Sequence, residues 1–490
     1  MSNPETSPRI TEAEETYHNL DMDALPPDLQ RNSRYYYYLS VYPGLKQMEE
    51  LAEDKLPTLP ETVNSAYVHT PYCTGVCNFC SYFLTTVREE DTSPVASYLE
   101  TVKSEVLQRS QETDLDISYI YFGGGTPSLI PPKALESFFS FMDEHDVLSP
   151  TRFGTLELHP EFFQDRQRAQ EFINVLKANG IGRVSLGFQS SDESVLSDTN
   201  RRHGTNFLGE AVDFLKQNDM MVSLDLIYGL PGLSTKQWEQ TLEDAVACNP
   251  DSIATYFLFV NPGTVMHTQV QRGEIVLPPH QEIQIQHIMA QKVLEEYGFY
   301  ELPSDFYARV DGDPTDFTQN TLPSDGASLP LGAGSYGFYD NTQFFNQFSL
   351  AKYRERISKG ESPIWRGHRF EGQEGAHRDM MFSVKNSPYI DRDLFEAKYG
   401  VDPAIMFEDK LNRLTRYDLV TVDDTSRRIT LTPKGRLCNE EIACQFEIPG
   451  LQNNVPANAS PSERKKLDKH HFAPLYSILG SAATRDDNPA

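Results

Sequence analysis

The chain has 490 residues, a formal net charge of −28, and 39% hydrophobic residues. Such an acidic chain repels the phosphate backbone, which argues against nucleic acid as a partner, and no apolar run is long enough to span a bilayer. The acidic N-terminus lacks the basic and apolar regions of a secretory signal, so we expect a cytoplasmic protein of two or three domains.

Residues 1–63 predict an N-terminal extension. They are acidic, interrupted by prolines, and contain a tyrosine-rich patch at Tyr35–Tyr38. Chain termini of this composition are often poorly ordered, so we expect partial disorder at the start. A patch of this kind packs on a core more often than it stacks on a ligand.

Residues 64–265 alternate between β-rich runs and helical patterns. The six β-rich runs end in glycine, proline or polar residues: SAYVHTPY, SYIYFGGG, GTLELHPE, GRVSLGFQS, VSLDLIYGLP and SIATYFLFVNPG. The helical patterns between them are Val95–Gln111, Ala134–His145, Ala169–Asn179, Phe207–Lys216 and Thr235–Cys248. Serial βα units predict an α/β fold with a parallel sheet wrapped by helices. Because a complete barrel needs eight units, we predict a partial, open (β/α)6 barrel.

Residues 266–447 predict a C-terminal region that ends in an α+β module. The helical pattern Ile405–Leu414 precedes the segments LVTV and RITLT, which flank Asp423–Arg427 as a hairpin would. This order resembles a winged helix. Its acidic and basic side chains are interleaved, which favours a lid over a DNA reader. The loop-rich part Val310–Ala327 precedes this module. Residues 448–490 are rich in proline, asparagine, serine and alanine, and predict a flexible tail.

The cysteines carry the strongest chemical signal. Three of the six lie within eight residues, at Cys73, Cys77 and Cys80. A disulfide framework would spread its cysteines more evenly, and a zinc knuckle wants four ligands. Three thiolates on one loop can hold three irons of a [4Fe–4S] cubane and leave the fourth open. S-adenosylmethionine (SAM) can bind that iron and be cleaved by an electron to a 5′-deoxyadenosyl radical.

The other candidate residues follow the predicted strands, where barrel enzymes place their chemistry. The run Gly123–Pro127 follows the second strand, and its glycines let the backbone approach a ligand closely, so Gly124, Gly125 and Thr126 are candidates for the methionine end of SAM. Four polar residues could bind the ribose and amino acid groups of SAM or pair with one another in the barrel mouth: Glu157, Gln189, Arg201 and Asp225.

Several motifs together resemble the oxygen-independent coproporphyrinogen III oxidase family, with its heme-chaperone and natural-product relatives. They are YVHTPYC-x3-C-x-F-C, FGGGTPS, E-x-H-P, GRVSLGFQS, NRRH, LDLIYGLPG and LGAGSYG, within residues 64–440. The resemblance implies a radical SAM barrel with a [4Fe–4S] cluster, SAM and often a second SAM. It implies that Tyr67 and Phe79 pack near the cluster and that Gly124, Gly125, Glu157, Gln189, Arg201 and Asp225 contact SAM.

Three departures from the family pattern bear on the substrate. Tyr82 stands where the oxidases have a fourth cysteine, His159 where asparagine or aspartate is usual, and Tyr336 where histidine is common. Our preferred prediction is therefore methyl or methylene transfer from a second SAM to an sp2 carbon of a small molecule, as in C-methylation or cyclopropanation. The alternatives are a porphyrin-modifying enzyme and a heme chaperone. Both enzymatic hypotheses, methyl or methylene transfer and porphyrin modification, need an electron donor such as flavodoxin or ferredoxin.

Overall fold

A computed structural model of the chain describes residues 7–31, 41–201, 207–261, 263–303, 305–309 and 328–451. The Tyr35–Tyr38 patch, the loop Val310–Ala327, the first six residues and residues 452–490 of the predicted tail lie outside these ranges. The predictions made for them stay predictions, as do the domain boundaries.

Strands and helices alternate through the first two thirds of the chain. The strands are β1 Glu49–Glu50, β2 Thr62–Thr70, β3 Tyr72–Cys73, β4 Thr85–Thr86, β5 Asp114–Gly124, β6 Leu148–Leu158, β7 Ile181–Gln189, β8 Met221–Tyr228, β9 Ser252–Phe257, β10 Tyr300–Leu302, β11 Phe306–Ala308, β12 Ser328–Leu331, β13 Tyr336–Tyr339, β14 Thr342–Asn346, β15 Ile364–Arg369, β16 Ile390–Asp391, β17 Val420–Asp423 and β18 Arg428–Leu431.

Helices separate the strands along the chain and continue through the C-terminal region. They are α1 Pro8–Asn19, α2 Ser93–Arg109, α3 Pro132–Glu144, α4 Arg166–Ala178, α5 Glu193–Asp198, α6 Leu208–Gln217, α7 Thr235–Ala247, α8 Val265–Gln271, α9 His280–Glu296, α10 Leu350–Ser358, α11 Glu374–Asn386, α12 Arg392–Tyr399, α13 Pro403–Met406, α14 Glu408–Arg416, α15 Pro433–Arg436 and α16 Asn439–Cys444. Among the described residues, no helix combines the length and apolar character needed to cross a membrane.

The central sheet confirms the predicted (β/α)6 architecture. Six consecutive strands lie parallel in the order β2–β5–β6–β7–β8–β9. Strand β12 adds a further parallel strand beside β2, and β11 and β10 add antiparallel strands beside β9. The parallel strands all end at one edge, which therefore collects the residues that follow each of them.

Sequence periodicity explains the elements that surround this edge. Helix α3 buries Leu135, Phe138, Phe139 and Met142, the i, i+3, i+4, i+7 pattern of an amphipathic helix. Helix α7 begins with a capping box in which the Ser234 side chain accepts from the Gln237 backbone N–H. On the strands, successive side chains alternate between the helix side and the barrel interior.

The N-terminal segment packs against the barrel. Helix α1 lies along α9 and α7, and Arg9 pairs with Glu243 at 2.7 Å and with Glu296 at 2.8 Å. Arg31, at the end of this described segment, is fully buried. The described part of residues 1–63 therefore contributes to the same core as the barrel.

The C-terminal module contains the predicted hairpin. Strand β17 pairs antiparallel with β18, and β16 adds a short third strand. The single helix predicted at Ile405–Leu414 was wrong, because Phe407 leaves the helical region (φ −114°, ψ 25°) and separates α13 from α14. Its ring is buried against His377 and Phe446, so tertiary packing breaks a helix that local periodicity favours.

This module contacts helix α9 of the barrel and the sheet that contains β13. The Gln284 amide on α9 donates to the Leu437 carbonyl at 3.1 Å, and Arg378 on α11 lies 3.3 Å above the Phe338 ring. That the module covers the barrel mouth stays a prediction.

Candidate functional site

The three clustered cysteines lie on the loop that follows β2. Cys73 belongs to β3, which pairs with β4 and brings the ends of the loop together, and the Cys80 N–H donates to the Cys77 carbonyl at 3.1 Å. All three are free, half-buried thiols. Burial raises the pKa of Cys73 and raises that of Cys80 to about 12, so a nearby positive charge is required to hold them as thiolates.

The donor set fits a cubane better than a single metal ion. Structural zinc needs four ligands on one centre, whereas a cubane binds each cysteine at a different iron. The remaining cysteines are elsewhere: Cys248 donates to the Asp244 carbonyl at 3.2 Å, and Cys438 is fully buried.

The glycine run after β5 is pressed against the backbone that carries Cys73. The Thr126 N–H donates to the Tyr72 carbonyl at 2.7 Å, and the Thr126 hydroxyl shares a hydrogen bond of 3.2 Å with the Cys73 thiol. A Cβ on Gly125 would lie 2.4 Å from the Tyr72 carbonyl oxygen. Gly124 has a φ of +109°, and a Cβ there would collide with His69 at 2.6 Å. These glycines are therefore required to seat the cysteine loop, whatever ligand they also admit.

Two carboxyl groups face the barrel interior beside this run. Glu157 on β6 accepts from the Tyr121 hydroxyl at 2.9 Å and from the Gly124 N–H at 3.2 Å. Asp225 on β8 accepts from the Ser185 hydroxyl of the intervening strand, at 3.0 Å to each oxygen. Strand alternation therefore brings together two of the residues predicted from sequence.

Burial raises the pKa of both carboxyl groups, and in Glu157 the charge of Asp225 adds to it. Burial, and next to it the charge of Asp225, raises the pKa of Glu157 to about 8. Burial raises the pKa of Asp225 to about 6, against the opposing effects of Ser185, Arg183 and Arg201. A cationic ligand bound between them would favour the ionised form of both.

Gln189 and Arg201 lie beside each other at the end of β7. The Arg201 guanidinium donates to the Gly187 carbonyl at 2.6 Å and to the Cys77 sulfur at 3.9 Å. Among the described residues, Arg201 Nε and Gln189 Oε1 are buried without a hydrogen-bond partner. A polar ligand bound at the sheet edge would supply partners for these two atoms.

An aromatic chain connects the carboxyl groups to the cysteine loop. The Tyr67 ring stacks on Tyr121, with centroids 5.9 Å apart, and the Tyr67 hydroxyl lies 3.2 Å from His69 Nδ1. Burial lowers the pKa of His69 to about 4, so the neutral ring accepts from Tyr67 and donates through Nε2 to the Phe83 carbonyl at 3.0 Å. Phe79, on the cysteine loop itself, packs against the core.

The three residues that depart from the family pattern take different positions. Tyr82 is 53% exposed on the cysteine loop. Tyr336 lies beside Tyr67, with ring centroids 6.5 Å apart. His159 directly follows β6, and its Nδ1 accepts from the Glu161 N–H at 3.3 Å.

A cavity of about 380 Å³ is lined by residues that hydrogen-bond to the cysteine loop. Asp198, Thr199 and Met266 contribute to its wall. Each of them is bonded to Asn78 in the loop: Asn78 donates to the carbonyls of Asp198 and Thr199 at 3.2 Å and 2.9 Å, and the Met266 N–H donates to the Asn78 carbonyl at 2.8 Å. The cavity wall therefore braces the loop.

Sequence reasoning missed several residues of the interior. Tyr121, Ser185 and His69 contact predicted residues, and Arg183 is 3% exposed with its guanidinium 3.3 Å from the Ser252 hydroxyl. Strand alternation could have predicted these positions. Tyr121 lies two residues before Gly123 and so on the same face of β5, and Arg183, Ser185 and Gly187 share one face of β7.

Known proteins are similar to this chain over much of its length. Residues 67–245 match the model of the radical SAM superfamily. The chain is 30% identical over 287 residues to the heme chaperone HemW of Synechocystis, covering 57% of this chain and 67% of the relative. It is 25% identical to the heme chaperone HemW of Bacillus subtilis, covering 78% of this chain and 99% of that one.

The oxidases are similar at comparable identity. The oxygen-independent coproporphyrinogen III oxidase of Escherichia coli is 24% identical, covering 86% of this chain and 95% of the relative. The solved structure of coproporphyrinogen III oxidase (HemN) from Escherichia coli superposes with a TM-score of 0.72 over 84% of this chain and 97% of that one, at 23% identity. This superposition shows that the two chains share a fold.

Proposed function

The chain belongs to the radical SAM superfamily, in the family of the oxygen-independent coproporphyrinogen III oxidases and HemW heme chaperones, and on that premise we propose a radical SAM enzyme that acts on a porphyrin-type substrate. The observation that carries the proposal is the sheet edge where three thiols lie beside two half-buried carboxyl groups and unpaired polar atoms. A [4Fe–4S] cluster bound there would supply the electron that cleaves SAM to a 5′-deoxyadenosyl radical.

Each predicted site residue has a part in this proposal. Cys73, Cys77 and Cys80 hold the cluster. Glu157 and Asp225 face the cationic groups of SAM, and Arg201 and Gln189 supply the polar atoms for its carboxylate and ribose. Gly124, Gly125 and Thr126 keep the strand-end backbone close to both groups, and Tyr67 and Phe79 shield them from water.

The substrate class rests on the relatives. The similar proteins are named as coproporphyrinogen oxidases and heme chaperones, which favours a porphyrin-type ligand over our preferred sequence prediction of methyl or methylene transfer. A second candidate, a heme chaperone, is supported by the match to 99% of the length of one HemW protein. It is also supported by Tyr82 in place of the fourth cysteine of the oxidases.

One anaerobic assay separates the three functions. The reconstituted, reduced protein is incubated with SAM and coproporphyrinogen III, and the products are separated by chromatography. We expect 5′-deoxyadenosine formation together with loss of coproporphyrinogen III. S-adenosylhomocysteine formed in step with 5′-deoxyadenosine would instead support methyl transfer. Tight heme binding, seen as a change in the heme absorption band, without substrate turnover would support the chaperone. If protein with an intact cluster forms no 5′-deoxyadenosine, the proposal that it is a radical SAM enzyme is wrong.

A further inference from the structure

Tyr121 pairs with Glu157 across two neighbouring strands and lies outside the motifs that mark the family. Its hydroxyl donates to Glu157 Oε1 at 2.9 Å, while the Gly124 N–H donates to Glu157 Oε2 at 3.2 Å. Both carboxyl oxygens are therefore held, one by a side chain and the other by the backbone. Of these two donors, only the tyrosine hydroxyl can be removed by a substitution that keeps the shape of the ring.

The space for this pair depends on Gly123. A Cβ at that position would lie 2.8 Å from the Tyr121 ring and 2.9 Å from Glu157 Oε1, so the first glycine of the run makes room for the contact. The Tyr121 ring also stacks on Tyr67, at an interplanar angle of 25°. Tyr67 is in turn hydrogen-bonded to His69. The hydroxyl that reaches Glu157 is thus carried by a ring with little freedom to move.

We propose that Tyr121 is a positioning residue for Glu157, which it holds in the orientation that the cationic end of SAM requires. The inference rests on the proposed role of Glu157 in SAM binding. It adds a residue that the family motifs do not contain, and it predicts that the ring hydroxyl acts through Glu157 alone.

The charges around Glu157 agree with this role. Tyr121 faces it from β5, Asp225 from β8, Tyr67 from β2 and Cys73 from the loop, while Arg183 and Arg201 act on Asp225. The hydrogen bonds from Tyr121 and Gly124 lower the pKa of Glu157 against the effects of burial and Asp225. Loss of the tyrosine hydroxyl removes one of the two donors that favour the carboxylate.

The test compares two tyrosines of one strand. Tyr119 lies two residues earlier on the same face of β5, and its hydroxyl shares a bond of 3.2 Å with Thr155 instead of a carboxyl group. SAM binding to the cluster-loaded protein is measured by anaerobic calorimetry for Tyr121→Phe and Tyr119→Phe. We expect Tyr121→Phe to bind SAM about two- to tenfold more weakly at neutral pH. The loss of SAM affinity in Tyr121→Phe should become smaller as the pH rises. In this variant KM for SAM should increase with little change in kcat. Tyr119→Phe should bind as the parent does.

Glu157→Gln separates failure of this inference from failure of the proposed function. If Glu157→Gln binds SAM as tightly as the parent, the proposed role of Glu157 is wrong. If it weakens binding while Tyr121→Phe matches Tyr119→Phe, the inference about Tyr121 is wrong. In the Glu157→Gln background, Tyr121→Phe should cause no further loss, because a double-mutant cycle isolates what the pair shares. A further loss there would overturn the inference, since Tyr121 would then act through another group.

Discussion

At the scale of single residues, the site keeps two carboxyl groups where burial disfavours their charge. Glu157 and Asp225 face each other across Ser185 on the intervening strand, and both have raised pKa values. A buried carboxyl group that must ionise to bind a cation lowers the stability of the ligand-free fold. Such a cost is expected at a binding site and is unexpected in a purely structural core.

Glu157→Gln should therefore stabilise the protein while weakening SAM binding. The pKa of Glu157 is about 8 in the fold, above its ordinary value of 4.5, so the folded state binds the proton more tightly than the unfolded state. Its contribution to stability is full below pH 4.5 and is lost as the pH rises towards 8. At pH 8.5 we expect the glutamine variant to be about 2–4 kcal/mol more stable than the parent, with a smaller difference at pH 6.

Urea unfolding of the cluster-loaded protein at the two pH values measures this difference. Glu161→Gln is a control from the same region, because Glu161 is exposed at the surface and its removal should change stability little. A stability difference for Glu157→Gln that stayed constant between pH 6 and 8.5 would contradict the assigned ionisation.

At the scale of elements, the cysteine loop and the glycine run form one unit. The Gly125 N–H donates to the Thr70 carbonyl and the Thr126 N–H to the Tyr72 carbonyl, so the end of β5 and the end of β2 are joined just before Cys73. The geometry of the three cysteines therefore depends on a second element distant in sequence.

The three-cysteine loop should carry all of the cluster ligands. Replacing Cys77 with alanine should abolish the brown colour and iron content of the reconstituted protein, because a cubane held by two thiolates is poorly retained. Cys248→Ala is the matched control, since Cys248 lies at the end of α7 with its thiol on the Asp244 carbonyl. Loss of iron in Cys248→Ala would show that the ligand assignment is wrong.

Gly125→Ala should displace the cysteine loop. The added Cβ would meet the Tyr72 carbonyl oxygen at 2.4 Å and the Thr70 carbonyl oxygen at 2.8 Å, and backbone atoms cannot move aside cheaply. We expect a loss of about 1–3 kcal/mol in stability and poorer cluster retention on gel filtration. Gly75→Ala, on the same loop, has nothing within 4 Å of the added Cβ and should retain the cluster. Equal retention by the two variants would refute the packing account.

At the scale of the whole molecule, Arg31 joins three parts of the chain. It is fully buried and donates to the Tyr228 hydroxyl of the barrel at 2.5 Å and to Asn439 of the C-terminal region at 2.8 Å. It also pairs with buried Glu441 at 3.3 Å. The N-terminal segment therefore helps to hold the C-terminal region on the barrel.

Arg31→Ala should uncouple these parts. Removing one partner of a buried ion pair leaves an uncompensated charge on Glu441 and typically costs about 3–5 kcal/mol. In urea we expect the parent to unfold in one transition and Arg31→Ala in two, each measured by circular dichroism and by loss of cluster absorbance. The exposed pair of Arg166 and Glu210 offers the control, since Arg166→Ala should cost less than about 1 kcal/mol. Cooperative unfolding of Arg31→Ala at the parent's midpoint would contradict the coupling.

The sequence by itself determined the parallel strands, the cysteine loop and the strand-end location of the site. These follow from local rules, namely apolar alternation, the spacing of thiols and the common edge of parallel strands. Tertiary structure alone decided that Tyr121 bonds to Glu157, that Gly125 meets the Tyr72 carbonyl and that Phe407 breaks a helix. Each of these depends on contact between residues distant in the chain, because burial, steric exclusion and the strength of a charge are set by the neighbours that folding supplies.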